Sequence, residues 1–569
     1  MCGIAGIFSS ALALEDRKLK LGKMLQAQEH RGPDATQEWH DSQCSLGHNR
    51  LSIIDLSSNA NQPMPSSCGR YVIVFNGEIY NYLEIKKELL PHFQFQTQSD
   101  TEVLLNAYIY WGTDFLHQLN GMFSLAIWDK QEKTLFIARD RFGVKPFYYY
   151  ADAQQFTFAS EIKTLWASGI KKIRNQKVWA NYLSFGTYGM PNETFWDTIH
   201  QLPAGHFAVL SQENLATFEP QLWYDFVARV QDTPVLEVAE LKKQYTALLN
   251  DAIQLRFRAD VPLGMNVSGG LDSSTLIALI HQNLPITKNI EAFTFYCNDI
   301  NYDELPWVDL LLQDKPYFLN KVVLKADEVP DLITALSQNQ DEPFGGFPTL
   351  AYSLLFDAAQ KKGIKVLLDG QGMDEAWAGY DYYHNQSNQV IQGVTTSPVR
   401  PEVLVADFVA LAKKEVYPQP FASSMQNMQY RDLFYTKIPR ALRFNDRISM
   451  LHGTELREPF LDYRLVELAF AQKDNTKYNQ GNTKWLLRQI SQELLSNQVA
   501  LAPKRPLQTP QREWIANELN AYVSDKIQEF GQLDFVDSKK VQQIWQDYRN
   551  GNQDNSFYIW QWINLVELV

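Results

Sequence analysis

The second residue of the chain could act as a catalytic nucleophile. If Met1 is removed, Cys2 becomes the first residue and carries a free α-amine beside its thiol. An α-amine, with a pKa of about 8, can take the thiol proton, and the thiolate can then attack an amide carbonyl to form a thioester. That intermediate needs an oxyanion hole. A cysteine at this position is also compatible with a small buried residue, so other motifs must decide.

A glycine-containing segment in the second half could bind phosphate. It reads Ser268-Gly269-Gly270-Leu271-Asp272-Ser273-Ser274 and lies between a predicted strand and a predicted helix. Glycines let the backbone approach an anion, and a helix N-terminus supplies N–H donors. There is no Gly-Lys-Ser/Thr, so the segment is not a Walker A loop. An ordinary strand–helix turn is the alternative interpretation.

A second acidic segment follows another apolar strand. It reads Leu368-Asp369-Gly370-Gln371-Gly372-Met373-Asp374-Glu375. Loops that follow parallel strands lie at the carboxyl edge of a sheet, where α/β proteins bind their ligands. A hard cation that bridges phosphates needs only one or two protein carboxylates, and this segment contains carboxylates of that kind. A loop followed by a capped helix is the simpler interpretation.

The elements that would position Cys2 are short strands interrupted by turns. Residues 71–75 form a predicted strand, and Asn76-Gly77 after it is typical of a hairpin turn. Further strands are predicted at 122–129, 134–140, 147–150 and 155–159, with a helix around 101–108. Sheets flanked by helices suit this pattern. We assign residues 1–210 to this first domain.

The phosphate-binding candidates lie in a different kind of domain. A polar stretch to about Pro234 is a predicted linker, and an amphipathic helix follows at 241–257. Apolar segments at 261–267, 291–296 and 364–368 are typical of buried parallel strands. We assign residues 235–569 to this α/β domain, and its last third is predicted to be mostly helical.

Composition excludes several classes of protein. The chain has 569 residues, a net charge of −13 and a pI near 5.4, which disfavours nucleic-acid binding. No apolar run is long enough to span a membrane, and no signal peptide is evident. The four cysteines form no CxxC pair and have no metal-ligand spacing. We therefore expect a cytoplasmic protein with neither nucleic-acid nor membrane partners, and the oligomeric state stays open, a homodimer included.

The first half resembles the class II glutamine amidotransferases, whose nucleophile is an N-terminal cysteine. The resemblance implies an αββα sandwich of the N-terminal-nucleophile type. It also implies that Cys2 is the nucleophile and that the Asn76 side chain and the Gly77 N–H form the oxyanion hole. The motifs that carry it, in order, are Arg31-Gly32-Pro33-Asp34, Gly47-His48-Asn49-Arg50-Leu51-Ser52-Ile53, Phe75-Asn76-Gly77-Glu78-Ile79-Tyr80-Asn81, Ser99-Asp100-Thr101-Glu102 and Arg139-Asp140-Arg141-Phe142-Gly143.

The same resemblance implies how glutamine would be held. Arg50 would bind its α-carboxylate, Asp100 its ammonium, and Glu78 would help to orient it. Each residue also has a structural interpretation: Arg50 as a surface ion pair, and Asp100 as a helix N-cap. Five motifs in one order favour the functional interpretation.

The second half resembles the ATP pyrophosphatases and, more specifically, the asparagine synthetases. The resemblance implies ATP and Mg²⁺ as cofactors, with Asp272 and Asp374 as metal ligands and Lys484 neutralising phosphate charge. It implies an α/β parallel-sheet synthetase domain with a helical C-terminal part. The implied ATP-binding residues are Val267, Ser268, Gly269, Gly270, Asp272, Ser273, Ser274, Phe295, Asp369 and Gly370. The further motifs are Asp341-Glu342-Pro343-Phe344, Asp446-Arg447-Ile448-Ser449-Met450, Glu455-Leu456-Arg457-Glu458-Pro459-Phe460-Leu461-Asp462 and Lys484-Trp485-Leu486-Leu487-Arg488.

Three departures from that family concern the acceptor. Many asparagine synthetases have Glu where this chain has Gln371, and an amide cannot act as a general base. Asn266 replaces an apolar residue, and the surroundings of the acidic pair Asp303-Glu304 are atypical. Amidation of aspartate to asparagine, with glutamine and ATP consumed and AMP, pyrophosphate and glutamate released, is the predicted reaction. The alternative is the same mechanism on another carboxylate, such as a sugar uronate or a natural-product intermediate.

Two other classes of protein fit less well. A catalytically inactive sensor of nucleotide or glutamine is disfavoured by the full set of candidate catalytic residues. A glutaminase fused to a sugar isomerase is disfavoured by the predicted pyrophosphate-binding segment. An apolar passage for ammonia between the two domains is expected, because protonated ammonium is not a nucleophile.

Overall fold

A computed structural model of the chain describes residues 2–283, 290–384, 397–502 and 508–569. In its first half, antiparallel strands form two six-stranded sheets. The strands are β1 Gly3–Phe8, β2 Ala35–His40, β3 Cys44–Arg50, β4 Met64–Pro65, β5 Tyr71–Ile79, β6 Gly121–Asp129, β7 Thr134–Arg139, β8 Tyr148–Ala151, β9 Phe156–Ala159, β10 His200–Gln201, β11 His206–Leu210 and β12 Gln221–Leu222. The strand orders are β10-β8-β9-β1-β3-β2 and β12-β11-β7-β6-β5-β4.

Helices cover the outer faces of both sheets and confirm the predicted αββα sandwich. They are α1 Leu14–Ala27, α2 Tyr82–Leu89, α3 Asp100–Trp111, α4 Phe115–Gln118, α5 Ile162–Ala167 and α6 Gln176–Phe185. Helix α1 packs on β1 and β3, and α3 packs on β5 of the other sheet. Strand β1 is buried on both faces: Ile4 and Phe8 pack in the core between the sheets, whereas Ala5 and Ile7 pack with α1.

The predicted hairpin turn at Asn76-Gly77 is wrong. Strand β5 continues through both residues and pairs with β6 over its full length, with Asn76 opposite Ser124 and Gly77 opposite Phe123. A Cβ on Gly77 would lie 2.1 Å from the Met122 carbonyl oxygen. Gly77 therefore allows two strands to approach each other closely and does not form a turn. Long-range strand pairing overrides the local preference of Asn-Gly for a turn.

The second half is built on a parallel sheet. Its strands are β13 Leu263–Asn266, β14 Glu291–Tyr296, β15 Phe318–Val323, β16 Val366–Leu368 and β17 Glu455–Arg457, and a separate hairpin contains β18 Tyr478–Asn479 and β19 Asn482–Thr483. The strand order is β15-β14-β13-β16-β17, and all four pairings are parallel. The segments that follow β13, β16 and β17 therefore meet at one carboxyl edge.

This half also contains eighteen helices in the described residues, and its last third is mostly helical, as predicted. They are α7 Phe226–Asp232, α8 Val238–Arg256, α9 Leu271–Asn283, α10 Leu305–Leu312, α11 Val329–Gln340, α12 Gly346–Lys361, α13 Met373–Ala376, α14 Ala406–Val409, α15 Ser424–Phe434, α16 Lys437–Leu451, α17 Tyr463–Ala471, α18 Asp474–Lys477, α19 Trp485–Ser491, α20 Asn497–Ala500, α21 Gln511–Ala516, α22 Asn520–Phe530, α23 Ser538–Arg549 and α24 Phe557–Leu568. None of the helices within the described ranges is both long and apolar enough to cross a membrane.

The predicted linker contains regular structure. Strand β12 pairs with β11 and extends the second sheet of the sandwich. Trp223 and Tyr224 follow it and are buried, and α7 packs against α17 of the second half. This segment thus lies on both halves of the molecule and does not separate them.

A buried ionic cluster joins the two halves next to Cys2. The Arg31 guanidinium contacts Asp446 at 2.8 Å and Glu161 at 2.8 Å, and its Nε donates to the Cys2 carbonyl at 3.1 Å. Arg447 lies 3.3 Å from Glu161. The Arg31 and Asp446-Arg447 motifs therefore position one half against the other.

Candidate active site

A pocket of about 370 Å³ opens around Cys2 in the first half. Gly3 pairs with Asn49 across β1 and β3, so Arg50 lies opposite Cys2. Four elements bring the predicted glutamine-site residues together: the starts of β1 and α3, the end of β3, and the middle of β5. The lining includes Cys2, Arg50, Gly77, Glu78, Asp100 and, from the second half, Glu455.

Cys2 is placed for the chemistry of an N-terminal nucleophile. Its side chain is buried, and its backbone nitrogen donates to the Asn76 Oδ1 at 3.1 Å. Burial raises the pKa of the thiol, and the N-terminal ammonium and Arg50 act in the opposite direction. A thiol of raised pKa needs a nearby base, which the α-amine of Cys2 would supply once Met1 is removed. Met1 itself lies outside the described residues.

The Asn76 side chain has a hydrogen-bond donor that is not used within the described residues. Its Oδ1 is engaged by Cys2, which leaves the amide nitrogen Nδ2 buried and without a hydrogen-bond partner among the described residues. Buried donors are nearly always paired, so this N–H is available to an oxygen that enters the pocket. The arrangement suits the predicted oxyanion hole.

Arg50 is held rigidly at the rim of the pocket. Its guanidinium donates to the Asn61 Oδ1 at 2.7 Å and to the Ser57 carbonyl at 2.6 Å, and also to the carbonyls of Ile54 and Asp55. None of these contacts is an ion pair, so its positive charge is not neutralised by them. A ligand carboxylate would supply the missing counter-ion.

The opposite wall of the pocket is acidic. Burial raises the pKa of Asp100 to about 6, and the Glu455 carboxylate adds to the rise. Burial, and then Asp100, also raise the pKa of Glu78. Arg457 donates to both Glu78 and Glu455. Arg457 thus bonds to two of the three carboxylates in this wall, and a cationic group such as an α-ammonium would be stabilised beside them.

The phosphate-binding candidate forms a tight loop between β13 and α9. The Ser273 Oγ donates to the Ser268 carbonyl at 2.7 Å, and the Gly269 N–H donates to the Glu304 carboxylate at 3.2 Å. A Cβ on Gly269 would lie 2.7 Å from the Trp307 Cβ, and one on Gly370 would lie 3.2 Å from the Ser273 nitrogen. Both glycines therefore allow close packing of the loops at the carboxyl edge.

A cavity of about 460 Å³ adjoins this loop. It is lined by five of the predicted ATP residues, namely Val267, Ser268, Ser273, Phe295 and Asp369. Of the other predicted residues, Gly269, Gly270 and Gly370 lie on the adjoining loops, and Asp272 and Ser274 lie in the first turn of α9. The Ser274 hydroxyl is buried, with no hydrogen-bond partner in the described ranges. Sequence reasoning missed Tyr302 and Tyr352, which line the same cavity. No motif marks them, because each comes from a helix or loop distant in sequence.

Asp369 lies on the floor of that cavity. It accepts hydrogen bonds from the Asn266 Nδ2 at 3.1 Å and from the Tyr352 hydroxyl at 3.2 Å. Burial raises the pKa of Asp369, and these two donors oppose the rise. Asn266 therefore has a structural role, because it orients the carboxylate of Asp369 at the end of the neighbouring strand β16.

Lys484 joins the two predicted metal ligands. Its Nζ lies 2.6 Å from the Asp272 Oδ2 and 2.8 Å from the Asp374 Oδ1. Burial opposes ionisation, but the two carboxylates raise the pKa of Lys484 above its ordinary value. A Cβ on Gly379 would lie 1.9 Å from the Asp374 Oδ1, so only glycine fits beside this cluster. Lys484 is thus a buried cation, not an exposed helix lysine.

Gln371 lies between two glycines at the end of β16. Its side chain is half-buried and makes no hydrogen bond within the described part of the chain. The next residue, Gly372, has a φ of +109°, and a Cβ on it would lie 2.6 Å from a Leu461 methyl carbon. The loop of Gln371 therefore packs against the segment that follows β17.

A third cavity, which is small, lies between the two halves. The first half contributes residues that include Asn120, Met122 and Arg141, and the second half contributes Arg256, Glu458, Leu461 and Tyr463. Asp462 fixes the junction, since it accepts from the Asn120 Nδ2 at 2.9 Å and from Arg256 at 3.0 Å. Both apolar and charged groups face this space.

Comparison with family models gives two matches along the chain. Residues 1–223 match a glutamine amidotransferase domain, and residues 244–568 match the asparagine synthase domain. Together with the sandwich and the parallel sheet, these matches define a fused glutamine amidotransferase and synthetase. The chain belongs to the asparagine synthase family. Its class is that of carbon–nitrogen ligases that take nitrogen from glutamine to amidate a carboxylate.

Relatives that have different names align with most of this chain. "Asparagine synthetase [glutamine-hydrolyzing] 1" of Bacillus subtilis is 28% identical and aligns with 98% of this chain and 95% of its own length. "Asparagine synthetase [glutamine-hydrolyzing] 2" of the same organism is 31% identical over 89% of this chain and 71% of its own. "Amidase chry2" of Gibberella zeae is 24% identical over 90% and 88%. Similarity over the full length thus extends to proteins of different names.

Proposed function

We propose that the chain converts aspartate to asparagine, with glutamine as nitrogen donor and ATP cleaved to AMP and pyrophosphate. The observation that carries this proposal is that one chain contains a cysteine pocket suited to glutamine and a phosphate-type loop with a paired-carboxylate centre, with a cavity between them. The cytoplasmic location and the homodimer stay predictions from the sequence.

Glutamine hydrolysis would begin at Cys2. Arg50 would hold the α-carboxylate of glutamine, and the acidic wall with Asp100 and Glu78 would hold its ammonium. The Cys2 thiolate would then attack the side-chain carbonyl, while the Asn76 Nδ2 and the Gly77 N–H stabilise the oxyanion. Water would hydrolyse the thioester and release glutamate.

Carboxylate activation would take place at the carboxyl edge of the parallel sheet. The cavity with Val267, Phe295 and Asp369 suits an adenosine, and the Ser268–Ser274 loop, with the N-terminus of α9, suits the phosphates. An acceptor carboxylate oxygen would attack the α-phosphorus, with pyrophosphate as the leaving group. Lys484 would neutralise charge as AMP is later released.

The residues present also fit a magnesium ion. Asp272 and Asp374 approach a common point, occupied here by the Lys484 ammonium. Within the described ranges, no group of three or more His, Cys, Asp or Glu side chains could hold a metal ion. The ion would therefore depend on phosphate oxygens as well, which is usual for Mg²⁺ in nucleotide sites. When bound, it would supply positive charge to the triphosphate.

Ammonia would cross between the sites through the interdomain cavity. Arg141, Arg256 and Glu458 face this space. Apolar residues such as Met122, Phe142 and Val144 also line it, so an apolar passage stays a prediction from the sequence. Neutral ammonia can form hydrogen bonds with the charged groups without losing its reactivity.

A second acceptor class is favoured by two basic residues at the start of α16. Lys437 lies 5.1 Å from the Tyr380 ring centroid, and Arg440 lies 5.4 Å from that of Tyr188. Neither forms an ion pair among the described residues. Burial, and then Arg440, lower the pKa of Lys437 to about 8. Cations beside aromatic rings suit a larger anionic acceptor, such as a sugar uronate.

Product analysis separates these possibilities. Purified enzyme would receive ATP, glutamine and one carboxylate from a panel that includes aspartate and uronates, and AMP, ADP and amide would be measured. AMP with asparagine supports the proposal. AMP with another amide selects the second acceptor class, and ADP in place of AMP contradicts both.

A further inference from the structure

Glu458 is a buried acid that the reaction described so far does not use. It directly follows β17, and its side chain is 5% exposed and lines the interdomain cavity. No hydrogen bond or ion pair of its carboxylate is found within the described ranges. Buried carboxylates are rarely left without partners unless they have a function.

Strand β17 places this carboxylate between the two sites. Glu455, at the start of the strand, lines the glutamine pocket. Glu458 lies three residues further on, or about 10 Å along the strand, towards the synthetase centre. There the loop of Gln371 packs on the residues after Glu458: a Cβ on Gly372 would lie 3.4 Å from the Phe460 carbonyl oxygen.

Charged groups on four other segments influence the Glu458 carboxyl group electrostatically. Burial raises its pKa to about 8; Lys145 lowers it, Asp369 raises it, Arg256 lowers it and Asp446 raises it. Lys145 is itself buried, and burial lowers its pKa. A carboxyl group that titrates near the working pH is suited to accept a proton in one step and to release it in the next.

Amide formation requires such a group. When ammonia attacks an acyl-adenylate, its nitrogen must lose a proton, and the Gln371 amide cannot accept one. We propose that Glu458 is the base that takes this proton, in place of a carboxylate at position 371. The proposal rests on the proposed function, since it concerns the second half-reaction of that same synthesis.

The step balances as follows. The ammonia nitrogen forms a bond to the acyl carbon, and one N–H proton passes to a Glu458 carboxylate oxygen. The bond from that carbon to the phosphate oxygen breaks, and its electron pair leaves with AMP. The products are the amide, AMP and protonated Glu458, which returns its proton to water.

Glu458→Gln tests the proposal in the full-length enzyme. Glutamine hydrolysis and pyrophosphate–ATP exchange should stay within about twofold of wild type, because neither step needs this proton transfer. Amide formation, from glutamine and from added ammonia, should fall about 10²- to 10³-fold, which is the usual contribution of a general base. AMP should then be released without amide, as the adenylate is hydrolysed.

Controls distinguish catalysis from structure. Glu467→Gln removes another buried glutamate, which accepts from the Tyr224 hydroxyl at 2.8 Å, and should leave the ratio of amide to AMP unchanged. Glu458→Asp should restore part of the lost activity. With glutamine as nitrogen source, the wild-type rate of amide formation should rise with an apparent pKa near 8, and this rise should be absent in Glu458→Gln.

The outcomes separate this proposal from the proposed function. Wild-type amide formation by Glu458→Gln, or an unchanged pH profile, would overturn the role of Glu458 while the synthesis itself stands. Loss of exchange and amide together in a folded variant would also overturn it, since the residue would then act in adenylate formation. Failure of the wild type to release AMP would refute the proposed function instead.

Discussion

Replacing Asp100 by Asn should weaken glutamine binding in a pH-dependent way. In the folded protein its Oδ2 accepts the Ile79 N–H at 3.0 Å, and burial raises its pKa to about 6. We propose that this carboxylate holds the α-ammonium of glutamine. Asn keeps the shape of the side chain but removes the charge, so the ammonium loses a charge-assisted hydrogen bond.

The size of the effect follows from that single bond. A hydrogen bond to a charged group contributes about 1.5–3 kcal/mol, which corresponds to a rise in the KM for glutamine of roughly 10- to 100-fold. Only the ionised form of Asp100 can pair with the ammonium, so the wild-type KM should rise as pH falls through 6. For a pKa of about 6, the rise between pH 7 and pH 5 is about tenfold.

Glutaminase kinetics between pH 5 and 7.5 would measure both effects. Asp100→Asn should show the high KM at every pH, with kcat changed less than KM. Glu102→Gln is the matched control: this carboxylate lies on the same first turn of α3 but accepts from the Gln96 and Thr97 N–H groups. A wild-type KM that is independent of pH, or an Asp100→Asn variant of wild-type KM, would refute the assignment.

Five further substitutions test the two sites separately. Cys2→Ala should abolish glutamine hydrolysis but keep synthesis from added ammonia, because the second site does not use the thiol; both rates can be measured on one preparation. Asp272→Asn and Asp374→Asn should each remove AMP formation, at a cost of several kcal/mol in transition-state stabilisation, while glutamine hydrolysis continues. Gln371→Glu should change the rate with aspartate by less than about tenfold, or about 1.4 kcal/mol, but should lower it more than a hundredfold with a larger anionic acceptor. Glu458→Gln should become increasingly more stable than wild type as pH rises from 4.5 to about 8. Over this range the carboxyl group of the unfolded wild type has lost its proton while that of the folded wild type keeps it, so the wild type loses stability and the variant does not. Thermal unfolding across this range would measure the difference.

Each of these predictions would be contradicted by a specific result. Loss of ammonia-dependent synthesis in folded Cys2→Ala would contradict the two-site model. Wild-type ATP turnover in either aspartate variant would contradict the metal assignment. A severe loss with aspartate in Gln371→Glu would show that the amide is needed there, and a pH-independent stability difference for Glu458→Gln would show that this carboxyl is not buried as an acid.

The sequence by itself determined the fold class and indicated which residues to examine. Short apolar segments interrupted by turns marked the strands of the sandwich, and apolar runs followed by glycine-containing loops marked the parallel sheet. The resemblance to class II glutamine amidotransferases implied that Cys2, Arg50, Asn76 and Asp100 share one site. In the structure Cys2, Arg50 and Asp100 line one pocket, and the Asn76 side chain accepts a hydrogen bond from the Cys2 backbone nitrogen.

Only the tertiary structure decided how the two halves meet. Glu78 and Arg457 are 379 residues apart and form an ion pair in the glutamine pocket, and Glu458 reaches the cavity between the sites from the same short strand. The Asn76-Gly77 pair was predicted as a turn because local preference is all that a short window contains. Pairing along β5 and β6, and the docking of β17 against the sandwich, are set by packing between distant segments, and no local pattern encodes which distant segment will be the partner.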